Sequence, residues 1–316
     1  MTIREAYAQG SADLKFAEIP SPALDASLLL AHVLNTNRTS LIAKGMDTIP
    51  AKICEKYCSL IERRALGECV AYIIGKKEFR GLEFEVNKSV LVPRPDTETL
   101  VEAAIGILSE NLLAKTQSSQ GTPRKKEENI KILDICTGSG AIAIALKNEK
   151  PELEVHATDI SPTALKVAVK NSENLLGKNK ICFYQGDIFN SLNNPISSPI
   201  ILRTFGSISV SPCDLFPLIV SNPPYIPSAE IETLSAEVQN EPRLALDGGS
   251  SGLEIIKRII EEAPNYLQKG GFLLLEAAPS QTEEIKTLLA KRGFTSLQLF
   301  KDLSGADRVI GGKFEK

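Results

Sequence analysis

The 316-residue chain is long enough for one large domain or two ordinary ones, and its 24% charged and 43% hydrophobic residues are typical of a soluble globular protein. A net charge of −3 supplies no global basic field for nucleic acid. No run approaches the roughly 18 apolar residues of a membrane span, and the opening MTIREAYAQG lacks the apolar core of a signal peptide. Six scattered cysteines (Cys54, Cys58, Cys69, Cys136, Cys182 and Cys213), two histidines and no CxxC pair predict no metal site. The cysteines read instead as small buried apolar residues in a reducing cytoplasm.

In chain order, residues 1 to about 70 read as helices. Segment 22–35 (PALDASLLLAHVLN) spaces apolar residues at helical intervals, and 50–66 does so with charges on the opposite face. The character changes over 71–92, where Tyr72, Ile73, Ile74, Phe79, Phe84 and Val86 alternate with polar residues around Gly75 and Gly81. That is hairpin patterning, and it marks a joint between two domains. Pro93-Arg94-Pro95 ends the hairpin, and Asp96 is placed to cap a helix through TETLVEAAIGILSE. The expected domains are thus 1–70, helical; 71–95, a hairpin linker; and 96–316, a larger domain. Polar stretches near 115–129 and 190–213 read as surface insertions within it.

From Ile130 onward, strand and helix signals alternate. KILDI precedes GAIAIALKN, and EVHATD precedes SPTALKVAVKNSENLL. KICFYQGD, PLIVSN, a helix through LEIIKRIIEEAPNYL, GGFLLLE and a helix near QTEEIKTLLAKRG follow, then two late strands, SLQLF and DRVIGG. Alternating β and α signals predict an α/β fold with a parallel sheet covered on both faces. Ligands in such sheets lie outside the carboxyl ends of the strands.

Three of those ends carry chemistry. In ILDICTGSGAIAIAL a strand runs into the Gly-rich turn Cys136, Thr137, Gly138, Ser139 and Gly140, and a helix starts near Ala141. The glycines admit a ligand close to the backbone, and the helix start offers free N–H groups. Asp159, 19 residues after Gly140, ends EVHATD at a place suited to ribose hydroxyls. The turn lacks the third glycine of a dinucleotide fingerprint; TGSGAIA is closer to a methyltransferase turn, with a dinucleotide enzyme as the minor alternative. Asp187 is placed to accept from an adenine amino group, with Ile188 over the ring; a plain helix cap is the competing role for Asp187.

The strand in IVSNPPYIP stops at Asn222-Pro223-Pro224-Tyr225, where two prolines forbid both helix and sheet ladder. The Asn222 side-chain oxygen and the Pro223 carbonyl can point into one cleft and accept both hydrogens of an NH₂ group, while Tyr225 offers a flat face. An amide nitrogen is a poor nucleophile because its lone pair is delocalised. Gripping both N–H bonds orients that nitrogen and stabilises the positive charge that grows on it.

Asn-Pro-Pro-Tyr after a strand resembles the amino-methyltransferases that use S-adenosylmethionine on adenine or on glutamine. LVPRPDTE, DICTGSGAIAIAL, ATDIS, GDIF, IVSNPPYI, NEPRLALDGG and DLSGADRVIGG together resemble the PrmC/HemK family of release factor glutamine methyltransferases, nearly end to end. The resemblance implies a class I S-adenosylmethionine-dependent methyltransferase fold: Rossmann-like, with a mostly parallel sheet, and a small N-terminal helical domain joined by a β-hairpin. It implies methylation of the Gly-Gly-Gln glutamine of class I peptide-chain release factors, with the helical domain gripping the factor. By motif, 136–140 holds the cofactor with Asp159 on ribose and Ile188 near adenine, and Asn222, Pro223, Pro224 and Tyr225 hold the glutamine. Arg94 and Glu98 either line the cleft mouth or brace the domains; Glu241, Arg243 and Asp247 read as a brace. Cys136 stands where the family usually has glycine, and LLLEAAPSQ replaces its usual Glu-Ile-Gly-x-x-Gln. A cytoplasmic monomer with no direct nucleic-acid contact is expected. The alternatives are an adenine-N6 methyltransferase and a non-catalytic release-factor-binding module.

Overall fold

A computed structural model describes residues 1–118, 130–177, 180–193 and 215–315. They form two compact units. The first comprises Met1–Lys76, Val86–Lys88 and Leu234–Glu241. It holds helices α1 (Ile3–Phe16), α2 (Pro22–Val33), α3 (Arg38–Ala43), α4 (Ala51–Ala65) and α5 (Val70–Ile74). Thr2 and Glu5 form a capping box that starts α1. Ile3, Leu14, Leu29, Leu30, Tyr57, Leu60 and Ile61 fill one core. Beside them lies a buried cation: Arg64 pairs with Asp25 at 2.7 Å and with Glu237 at 2.8 Å. Tyr72, Ile73 and Ile74, expected as strand, belong instead to α5. Gly75 ends that helix in the left-handed region (φ 82°), which a short apolar run followed by Gly does not distinguish from a strand entering a turn.

The second unit comprises Lys77–Glu85, Ser89–Thr233 and Pro242–Lys316. Strands β1 (Lys76–Phe79) and β2 (Leu82–Glu85) pair in the expected hairpin. Next come α6 (Glu98–Ser118), β3 (Lys131–Ile135), α7 (Ala141–Glu149), β4 (Glu154–Asp159), α8 (Pro162–Leu176), β5 (Cys182–Gln185), the short α9 (Asn190–Asn193) and β6 (Phe216–Ser221). A short α10 (Ala236–Gln239) lies in the segment that belongs to the first unit. The chain ends with α11 (Arg243–Leu246), α12 (Glu254–Glu262), β7 (Leu267–Glu276), α13 (Thr282–Arg292), β8 (Phe294–Lys301) and β9 (Asp307–Phe314). Of the stretch near 115–129, residues to Ser118 continue α6; the remainder to 129 and residues 194–213 lie outside the described residues. Asp96 is not the cap of α6. It sits inside a 3₁₀ turn, Pro95–Thr97, that leads into the helix, and its carboxylate pairs with Arg308 at 3.1 Å.

Among the described residues seven strands make one sheet in the order β5-β4-β3-β6-β7-β9-β8, parallel except where β9 pairs antiparallel with β7 and β8. β3 and β6 are buried along nearly their whole length, which explains their continuous apolar runs. On one face Ile256, Ile259 and Ile260 of α12 pack with Leu133, Ile135, Ile219, Leu273 and Leu275. Each such side chain contributes about 1.5–3 kcal/mol by leaving water. Of the cysteines in the described residues, all are free thiols; Cys69 is buried, but Cys58 is exposed on α4. No helix of the described residues is long and apolar enough to cross a membrane.

Strand register positions the site. Ile135 pairs with Thr158 on one side and with Ser221 on the other, and Asp159 pairs with Gln185. Cys136, Asp159, Gly186 and Asn222 therefore fall in one row at the carboxyl ends. β4 and β5 lie to one side of β3 and β6 to the other, so the crevice opens at the switch point of the sheet.

Candidate active site

A cavity of about 1100 Å³, counting its open mouth, occupies this row; Cys136, Thr137, Gly138, Ser139, Asp159, Asp187, Ile188 and Asn222 all line it. Gly138 has φ 56°, and a Cβ built there would meet no atom within 4 Å. Its N–H donates to Asp159 Oδ2 at 2.8 Å, and the Ser161 N–H donates to Asp159 Oδ1 at 2.8 Å. The turn after β3 and the carboxylate after β4 are thus one rigid piece. Burial pushes the Asp159 carboxyl above its usual range, and the backbone N–H bonds oppose that. Each oxygen keeps lone pairs for hydroxyl donors. Gly140 caps α7 at the close of the turn and packs against Ala168 of α8 instead of lining the cavity. Fully buried Asp134 accepts the Thr137 hydroxyl at 2.6 Å, and desolvation lifts its carboxyl to about 7.

Two residues besides glycine stand at positive φ on the cavity wall: Cys136 at 61° and Ile188 at 53°. A β-branched residue in that region is a true outlier, with a cost on the order of 1–3 kcal/mol. Such strain persists where the surroundings enforce it, and here it holds the Ile188 side chain beside Asp187. That acidic residue does more than the sequence suggests. Both of its oxygens accept from the Arg258 guanidinium of α12, at 2.7 and 3.2 Å.

The turn after β6 divides in two. Asn222 and Pro224 line the cavity, whereas Pro223 is buried. Tyr225, expected to present a ring face to the cleft, packs against the core, and its hydroxyl lies 3.5 Å from Glu276 Oε1. The backbone imposes this. The Tyr225 carbonyl accepts from Gln281 Nε2 at 2.8 Å, and the Ile226 N–H donates to Leu246 at 3.0 Å. The Asn222 amide is also fixed, because its Nδ2 donates to Thr97 Oγ1 at 3.2 Å.

Of the rim residues, Arg94 lines the cavity, whereas Glu98 accepts from the Arg80 N–H of the hairpin turn at 3.4 Å. Arg243 and Asp247 brace each other at 3.1 Å, and Asp247 also accepts the Ser228 hydroxyl. Glu241 is buried within the first unit. Thr97, Glu276, Arg258 and Arg308 are absent from the sequence-based site. Arg308 pairs with Asp302 and Asp96 and lies close enough to Glu276 to favour its ionised form.

The PrmC N-terminal domain profile matches residues 5–75, and a methyltransferase domain profile matches residues 126–291. The release factor glutamine methyltransferase of Koribacter versatilis is 33% identical over 314 residues, 99% of either chain. That of Neisseria gonorrhoeae is 35% identical over 93% of this chain and 94% of its own, and that of Escherichia coli is 35% identical over 84% and 80%. The chain belongs to the release factor glutamine methyltransferase family. Among solved structures, the hMettl16 catalytic domain in complex with a MAT2A 3′UTR hairpin shares the fold, with a TM-score of 0.52 at 15% identity over 81% of each chain. The fold is the class I methyltransferase fold. Both departures from the usual pattern of the release factor glutamine methyltransferases now have a local account. Cys136 does occupy the left-handed region that glycine serves best. Ala278, in the place of the family's glycine, has φ −68° and ψ 143°, ordinary for any residue, and Gln281 still caps the turn by accepting the Ala278 N–H at 3.1 Å.

Proposed function

We propose that this protein transfers a methyl group from S-adenosylmethionine to the side-chain amide nitrogen of the Gly-Gly-Gln glutamine in class I peptide-chain release factors. One observation carries the reading: a half-buried Asn222, its amide nitrogen already engaged, stands at the mouth of a parallel-sheet crevice whose neighbouring turn is built to hold a nucleoside. The residues present fit the methyl donor. The open space at Gly138 and the lone pairs of Asp159 suit its ribose, and Ile188 beside Asp187 suits its adenine. When bound, S-adenosylmethionine supplies an electrophilic methyl group on a sulfonium.

The chain's own residues do the rest. Asn222 Oδ1 and the Pro223 carbonyl accept the two amide hydrogens of the glutamine and turn its nitrogen lone pair toward the donor. The two acceptors would stabilise the positive charge that grows on nitrogen as it takes the methyl group, and the proton that nitrogen then sheds would leave to water. Arg94 at the rim orients the incoming loop, and the helical unit grips the factor. The protein acts as a cytoplasmic monomer. Incubation with labelled S-adenosylmethionine and either a release factor or RNA tests this reading; label should enter the factor, and label in the RNA instead would overturn it.

A further inference from the structure

An asparagine amide has an accepting end and a donating end, and only the oxygen can accept a substrate N–H. Which end Asn222 turns to the cleft is decided behind it. Its Nδ2 donates to Thr97 Oγ1 at 3.2 Å. The Thr97 hydroxyl in turn lies beside the Glu276 carboxylate and favours its charged form. Glu276 ends β7, is 1% exposed, and leaves its Oε2 without a hydrogen-bond partner among the described residues. An ionised carboxylate only accepts. A hydroxyl beside it turns its hydrogen toward the charge, so the lone pairs of Thr97 Oγ1 are what Asn222 Nδ2 meets.

We propose that Glu276 and Thr97 are positioning residues that set the direction of the Asn222–Thr97 hydrogen bond and so hold the Asn222 oxygen toward the cleft. The inference rests on the amide-methylation reading above. A protonated Glu276 carries a donor of its own. The Asn222–Thr97 bond could then run backwards, with Thr97 donating to the Asn222 oxygen and the Asn222 NH₂ left facing a substrate NH₂ it cannot grip. The groups facing Glu276 are Thr97 and Asp96 ahead of α6, Tyr225 from the turn after β6, and Arg308 from β9. Burial raises the Glu276 carboxyl to about 7, and Arg308, Thr97 and Tyr225 oppose that rise. The reversal therefore falls within an accessible pH range.

The test measures kcat, KM for a release factor, and cofactor Kd from pH 6 to 9 for the wild type, Thr97→Ser, Thr97→Val and Glu276→Gln. Thr97→Val should lower kcat by roughly 10- to 100-fold, as expected when a preorganised polar group is lost from the transition state, with cofactor Kd unchanged. Thr97→Ser should keep most of the rate. The wild-type kcat should fall on the acid side of about pH 7, and Glu276→Gln should be slower and lack that acid limb. Wild-type turnover in Thr97→Val, an equal loss in the Ser and Val variants, or an acid limb that persists in Glu276→Gln would overturn the proposal. Cofactor binding reports folding; should Thr97→Val not fold, the pH profile of the near-isosteric Glu276→Gln decides. A wild-type protein that methylates no glutamine sinks the amide reading itself, whereas an active wild type with unaffected variants sinks only the relay.

Discussion

The Asn222 side chain is held by Thr97, whereas the turn after β3 is held by a separate bond between Gly138 and Asp159. Asn222→Ala should therefore leave cofactor affinity nearly intact while lowering the transfer rate by roughly 10²–10³, the cost of one preorganised polar group. Single-turnover rates alongside calorimetry separate the two effects. Asp159→Ala should do the reverse. It frees the Gly138 N–H and, on the proposed function, removes charge-assisted bonds to the ribose hydroxyls, so cofactor binding should weaken by about 1.5–3 kcal/mol. Unchanged affinity in a folded variant would remove Asp159 from the site. Cys136→Gly relieves a positive φ at the cost of unfolded-chain entropy, so its stability should change by less than about 1 kcal/mol, with turnover retained. A denaturant midpoint well below that of the wild type would show that the thiol packing, not the backbone, matters there.

At the scale of elements, the turn after β6 depends on a backbone passing directly beneath it. A Cβ built on Gly248 would lie 2.8 Å from the Pro224 carbonyl oxygen and 2.8 Å from Tyr225 Cα, both fixed backbone atoms. Gly248→Ala should displace the turn, costing about 1–3 kcal/mol of stability and a larger share of kcat than of cofactor affinity. The glycine of NEPRLALDGG thus acts on the site without lining it. Much of this architecture is legible from local pattern. The strand–turn–helix of ILDICTGSGAIAIAL, the acidic end of EVHATD and the proline-locked end of IVSNPPYIP each announce themselves within about ten residues, because periodicity, glycine and proline act locally. What stays hidden acts through space. Thr97 meets Asn222 across 125 positions, and Arg258 meets Asp187 across 71. Neither spacing leaves a mark on sequence pattern. The Tyr225 ring direction follows from hydrogen bonds that its carbonyl makes to Gln281 and the Ile226 N–H makes to Leu246, and although Ile188 does line the cavity as expected, its positive φ is hidden because it runs against the local preference of a β-branched residue.

Across the whole molecule, two buried carboxyls in the larger unit give stability a distinctive pH dependence. Asp134 and Glu276 are both raised to about 7 by desolvation, from ordinary values of 3.8 and 4.5. Between about pH 4 and 7 the folded chain therefore holds more protons than the unfolded one. Their contribution is fullest at acid pH and is lost as pH rises through 7, by up to about 4 kcal/mol for Asp134 and about 3 kcal/mol for Glu276. Urea midpoints from pH 5 to 8 should carry this falling component, and Glu276→Gln should flatten it. The helical unit has its own buried charge cluster. Arg64→Ala would leave Asp25 buried without its partner and should cost about 3–5 kcal/mol, seen as a lower melting temperature. That unit carries none of the residues proposed to hold the cofactor or the amide, and the proposed function gives it the rest of the release factor to grip. An intact factor should exceed a short Gly-Gly-Gln peptide in kcat/KM by roughly tenfold or more, since only the factor can engage it. Amide methylation of a release factor is the central claim, and peptide mass spectrometry tests it most directly. After incubation with S-adenosylmethionine and an intact class I factor, the Gly-Gly-Gln peptide should gain one methyl group, and fragmentation should place it on the glutamine side-chain nitrogen. A methyl group on any other residue of the factor, or none after stoichiometric enzyme, would contradict it.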